Sequence, residues 1–146
     1  MRQAHSQGLT LVEITVVLVI LAIIGTFAMP AWQEMVAKQR RESLASQLMA
    51  HMALARSTAI SKGRTVALST RGNGWHSGWT VHQEILRNGR WDAGETVYAQ
   101  HSGDSHTRMV GNGSMAHYVM FDADGRPVQS GGGFLAGTLQ VWLRSS

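Results

Sequence analysis

Seven histidines and no cysteine set the metal chemistry open to this 146-residue chain. Without thiolates, a zinc site needs imidazoles and carboxylates at ligand spacing. His101 and His106 flank a Gly/Asp/Ser loop, while His76, His82 and His117 are scattered, with no helical histidine pair and no HExxH segment. That pattern belongs to exposed or hydrogen-bonded loop histidines, and no metal is expected. "NGRWDAGE" and "DADG" set oxygen ligands beside glycine, as calcium loops do, but neither has the full EF-hand ligand pattern. Asp92, Glu95, Asp122 and Asp124 therefore read as turn residues. Ser61, Ser69 and Ser77 stand in no nucleophile elbow, and no phosphate-cradling glycine loop occurs. Glu84, Asp92 and Glu95 are carboxylates that the sequence alone does not pair. The expectation is a non-enzyme with no cofactor.

Two other charge features stand out. The chain carries a net charge of +4, and its cations are uneven: Lys38, Arg40, Arg41, Arg56, Lys62 and Arg64 meet only Glu42 in that interval. Such a patch attracts phosphates through counterion release, and Arg56, Lys62 and Arg64 form its far end, where cations also suit a helix terminus. Trp75, Trp79 and Trp91 offer faces for base stacking, although packing in a "GW" block is the plainer use. The second feature is Glu13. From Leu9 to Met29 it is the sole ionisable residue, and a carboxylate in hydrocarbon costs about 2.5–3.5 kcal/mol.

The elements that must position these residues follow from periodicity. As a helix, residues 9–29 span about 30 Å, the thickness of a hydrocarbon core. The run is apolar on every face, so lipid or other helices must cover it. A secretory signal peptide, a plain single-span anchor and a helix that buries Glu13 against a partner all match that description. Pro30 removes a backbone donor, which predicts a kink. Beyond it, Ala37, Leu44, Leu48, Met52, Ala55 and Ala59 recur at steps of seven, four, four, three and four, one stripe of an amphipathic helix. Gly63 is a stop signal. After it the pattern changes to short strands: "RTVALST", "WTVHQEIL", "ETVYAQH", "HYVMFD" and "GTLQVWLR". Asn88-Gly89 predicts a hairpin centre and "ADGR" a turn. Five or six antiparallel strands would cover the helix stripe, since neither element buries its apolar face alone.

"SQGLTLVE" resembles the class III leader site of type IV pilins and pseudopilins. That resemblance implies a leader of residues 1–8, cleavage by a prepilin peptidase between Gly8 and Leu9, and N-methylation of Leu9. It implies that Glu13 pairs with the free amine of a neighbouring subunit during docking. Pro30 falls where many pilins carry a helix-bending proline. "LARSTAI" over 54–60, the block holding Trp75, Gly78, Trp79 and Val81, and Asp92, Gly94 and Glu95 resemble the GspH/FimT family of pseudopilins and minor pilins. The implied fold is α+β and type IV pilin-like, with a transmembrane helix at 9–30, its amphipathic continuation at 31–63 and a periplasmic β-rich domain at 64–146. The implied partners are prepilin peptidase, other pilins or pseudopilins, the assembly platform and inner-membrane lipid. The implied function is a subunit at or near the tip of a type IV pilus or a type II secretion pseudopilus. The alternative is a DNA-binding minor pilin for DNA uptake. The family's DNA-binding members carry a basic GRxR-type motif in a further strand. Here the chain stops at Ser146, and Gly125-Arg126-Pro127 lies in a predicted turn.

Overall fold

A computed structural model describes residues 10–104 and 107–143. The chain divides into two compact units, Met1–Gln39 and Arg40–Ser146. One helix, α1 (Leu11–Lys62), supplies residues to both.

In the first unit, α1 begins on a cap that the sequence encodes. Thr10 precedes the helix, and its Oγ1 accepts the Glu13 backbone N–H at 3.3 Å. That is half of a T-x-x-E capping box, and it satisfies one donor that the first helical turn otherwise leaves orphaned. The side chains of residues 10–26 are all exposed, including Leu11, Ile14, Val17, Leu18, Leu21 and Ile24. Among the described residues no helix is long and apolar enough to cross a membrane. Position 30 lies within α1.

The second unit is built on the later turns of α1. The helix ends in a Schellman arrangement: Gly63 takes φ 60°, the Gly63 N–H reaches the Ile60 carbonyl at 3.3 Å, and the Arg64 N–H reaches Ala59 at 3.2 Å. Seven strands follow: β1 (Val66–Thr70), β2 (Gly78–Gln83), β3 (Val97–Ser102), β4 (Thr107–Gly111), β5 (Tyr118–Phe121), β6 (Pro127–Val128) and β7 (Leu139–Leu143). They form a five-stranded antiparallel sheet ordered β3-β2-β1-β5-β6 and a two-stranded sheet of β4 and β7. Leu68 pairs with Val81 on one side and Val119 on the other, so three branched side chains stand in a row on one face. That face closes over the helix stripe. Leu44, Leu48, Ala55 and Ala59 share one core with Val66, Leu68, Trp75, Trp79, Val81 and Val119. The α+β pilin-like expectation is met.

The opposite face of the sheet is also closed. Ala67, Ser69, Thr80, His82 and Met120 are all buried. Their register partners, Ala67 with His82 and Ser69 with Thr80, show that they share that face. The cover is the loop of residues 84–96, which joins β2 to β3; the two strands pair antiparallel as the hairpin expectation has it, but through this long connection and not a tight Asn88-Gly89 turn. "WTVHQEIL" stops being a strand at Gln83, and β3 starts only at Val97. The carboxylates of Glu84 and Glu95 capture loop N–H groups that a tight hairpin would pair across the strands.

Candidate functional site

Three polar side chains that are far apart in sequence meet on the covered sheet face. Ser69 and His82 stand on adjacent strands, two positions out of direct register, which puts them within side-chain reach. Ser69 Oγ lies 2.9 Å from His82 Nε2. His82 Nδ1 lies 2.9 Å from Glu95 Oε2 and 3.2 Å from the Gln83 carbonyl. Both neighbours of Nδ1 are acceptors, so Nδ1 donates, and Nε2 pairs with the Ser69 hydroxyl.

Glu95 extends the chain into the loop. Its Oε1 accepts the Ile85 N–H at 2.7 Å and its Oε2 the Asp92 N–H at 3.1 Å. Glu84 does the same one turn away, where Oε1 accepts the Asn88 N–H at 3.0 Å. Its Oε2 is buried with no hydrogen-bond partner. Burial pushes the Glu84 carboxyl above the usual carboxylate range, the nearby Glu95 charge adds to this, and the Asn88 amide and His82 oppose it. Asn88 donates from Nδ2 to Asp92 at 2.7 Å and accepts the Arg90 N–H at 2.7 Å. Gly89, at φ 73°, lies so close to Tyr118 that a Cβ would collide with the ring.

Hydroxyl, imidazole and carboxylate in series are the parts of a nucleophile, base and orienting acid. Exposure decides against that use. Ser69 borders a groove but only 2% of it is exposed, and His82 is 0% exposed, so the pair is spent inside the fold. The cluster acts as a lock: it fastens residues 84–95 to the sheet and satisfies every buried donor it touches.

His51 and His101 are used in packing. The Trp79 indole N–H donates to His51 Nδ1 at 2.8 Å, and His101 stacks on Trp79 at 4.1 Å. Burial, and then the neighbouring His51, lower the His101 pKa, which keeps that ring neutral against the indole. Trp75 is buried and donates to the Met115 carbonyl at 2.7 Å. Trp75 and Trp79 are thus core residues, as the packing reading expects, and Trp91 alone of the three is exposed. Asp122 is a turn residue: its Oδ1 accepts the N–H groups of Asp124 and Arg126. Among the described residues no group of three or more His, Asp or Glu is placed to hold a metal ion.

The residues singled out by sequence for processing and docking are separated from this cluster. Gly8, Leu9 and His106 lie outside the described residues. Glu13 is exposed in the first turn of α1. Arg56 and Lys62 are exposed in the last turns of α1, and Arg64 donates to Gln83 Oε1 at 3.4 Å. Sequence reasoning did not connect Ser69, His82 and Glu95. Their signal was an equal spacing of 13 residues across two antiparallel connections.

Comparison with known proteins places these elements. A prokaryotic N-terminal methylation motif matches residues 3–29. No curated protein matches the chain. Among solved structures, the chain is similar to the type IV minor pilin FimU of Pseudomonas aeruginosa strain PAO1. The two are 22% identical with a TM-score of 0.50, over 62% of this chain and 65% of that one. The chain thus spans under two thirds of the FimU chain, and the likeness is one of fold. The family described as type II transport protein GspH matches residues 44–142, which hold the stripe of α1, both sheets and the locked loop, and the chain belongs to that family.

Proposed function

We propose that this GspH-family subunit is cut by a prepilin peptidase between Gly8 and Leu9 and methylated on Leu9. Residues 9–30 then hold it in the inner membrane, bent at Pro30, with residues 64–146 in the periplasm. From there it enters a type IV pilus or a type II secretion pseudopilus, at or near the tip, alongside other pilins or pseudopilins and the assembly platform. Its role is mechanical, in filament assembly or secretion.

One observation carries this reading: an apolar helix end, exposed on every face in the single chain, overlaps a methylation motif and runs into a closed α+β body. Covering one large aliphatic side chain is worth about 1.5–3 kcal/mol, so a run of them is stable only in lipid or among like helices. Mass spectrometry of the mature protein tests the reading. The expected terminus is a methylated Leu9, whereas a terminus near Pro30 would mark a conventional signal peptide and overturn it.

A DNA-binding role remains the second reading, supported by the exposed Arg56, Lys62 and Arg64 around the end of α1. Full-length protein in detergent micelles should then bind duplex DNA with log K falling about 0.9 per phosphate contact as log salt rises. Triple substitution of these cations by alanine should flatten that slope. Absence of salt-sensitive binding at low ionic strength sinks the DNA role and leaves the filament role standing.

A further inference from the structure

A groove of about 900 Å³ opens on the locked side of the five-stranded sheet. Its walls come from the β1–β2 turn, which brings Arg71 and Asn73, and from the loop 84–96, which brings Arg90 and Trp91; Gln100 and His117 lie along its sides. Among the described residues no carboxylate lines it. Trp91 is 49% exposed, unlike Trp75 and Trp79, which are both 0%. Arg71 and Arg90 are exposed, and among the described residues neither takes part in an ion pair.

The groove is built rather than incidental. The segment that carries Arg90 and Trp91 is held from beneath by the Glu84 and Glu95 carboxylates. It is held from within by Asn88 and fixed from above by the contact of Gly89 with Tyr118. The Trp91 indole N–H also reaches the Glu95 carbonyl, at 3.4 Å. A loop ordered before its ligand arrives loses little entropy on binding. An exposed indole held at its N–H is therefore presented on an anchored loop, beside two guanidiniums that take part in no ion pair among the described residues.

We propose that this groove binds a carboxylate-bearing oligosaccharide. The indole offers an apolar face for a sugar ring, while its N–H is held by the Glu95 carbonyl. Guanidinium forks match carboxylates in bidentate geometry. The side-chain amides of Asn73 and Gln100 both donate and accept, which suits hydroxyl groups. A single-stranded nucleic acid fits less well. It needs successive stacking aromatics and a track of cations, and this groove holds one exposed indole and two guanidiniums. The inference does not depend on the filament role.

The test uses full-length protein in detergent micelles, titrated by calorimetry with a galacturonate hexamer. Neutral maltohexaose and an oligothymidylate of matched charge are the comparison probes. The hexamer should bind at least about tenfold more tightly than either, a difference of about 1.4 kcal/mol. Trp91→Ala and Arg90→Ala should each weaken it by a similar factor, Arg71→Lys should weaken it less than Arg71→Ala, and Arg56→Ala should leave it unchanged. All these side chains are exposed, and unchanged melting of the variants separates lost contacts from lost folding. No hexamer binding at millimolar concentration overturns the proposal. So does equal or tighter binding of the oligothymidylate, which would make the groove a nucleic-acid site. A loss with Arg56→Ala as large as with Arg90→Ala overturns it too, since binding would then follow net charge.

Discussion

Both oxygens of Glu95 are occupied: Oε1 by the Ile85 amide, and Oε2 by the Asp92 amide and the His82 ring. Removing the carboxylate takes an acceptor from the buried His82 ring and from the part-buried Ile85 and Asp92 amides, and a stranded buried donor loses more than the bond was worth. Glu95→Ala should destabilise the second unit by about 3 kcal/mol in urea titration, and a loss under about 1 kcal/mol would mean the lock is ornamental. Glu84 is a different case, because one of its oxygens is buried without a partner. Its pKa is raised in the folded protein by burial, so the folded state holds that proton more tightly than the unfolded chain does. The stability it contributes is complete below the unfolded value of about 4.3 and is lost as pH rises through the shifted value. Glu84→Gln keeps an acceptor for the Asn88 amide and carries no charge. Its Tm should match or exceed that of the wild type at neutral pH, and the gap should close on acidification. Parallel Tm–pH curves for the two proteins would rule out Glu84 as the source.

The stripe of α1 mixes sizes for a geometric reason. Ala55 and Ala59 are 0% exposed, and they share a core with Leu68, Trp79 and Val81. Small side chains there let the helix backbone approach the sheet, while Leu44 and Leu48 fill the wider end. Ala55→Leu should therefore cost about 1–3 kcal/mol by overpacking, and Leu48→Ala about 2–5 kcal/mol by leaving a cavity. Chemical denaturation reads both, and a neutral Ala55→Leu would show that the contact is loose. This element was legible in advance, because the 3.6-residue period survives in the sequence whatever it packs against. So were β1, β2, β3, β5 and β7, whose runs of apolar and β-branched residues are local. The short strands β4 and β6 were not. "TRMVG" becomes a strand by pairing with β7, whose register partner for Met109 is Val141, far along the chain. The lock was hidden for the same reason. Asn88-Gly89 marks the middle of the β2–β3 connection, but the two carboxylates that lengthen it into a loop act from positions the local signal does not reveal. Local chemistry can be read from the order of residues, whereas a contact made by strand register cannot.

At the scale of the molecule, Glu13 has two physical uses that pull in one direction. Its backbone N–H completes half of the cap at Thr10, and its acidic side chain suits the positive end of α1. It also supplies a carboxylate within a run of exposed apolar side chains, where an ammonium group from a neighbouring copy would find its counter-charge. The two uses separate by substitution. Glutamine can replace glutamate at the third position of a capping box, but it has no charge to offer a docking amine. The cap uses the Glu13 backbone N–H, which both variants keep, so if capping is the main role Glu13→Gln and Glu13→Ala should both behave as wild type. If charge pairing dominates, as the filament reading requires, both variants should be processed normally at Gly8, accumulate in the membrane, and be under-represented in sheared filaments. The decisive quantity is the ratio of filament-associated to membrane-associated subunit, measured for the two variants beside wild type. Normal incorporation of Glu13→Ala would remove the docking role altogether, because that variant lacks the charge.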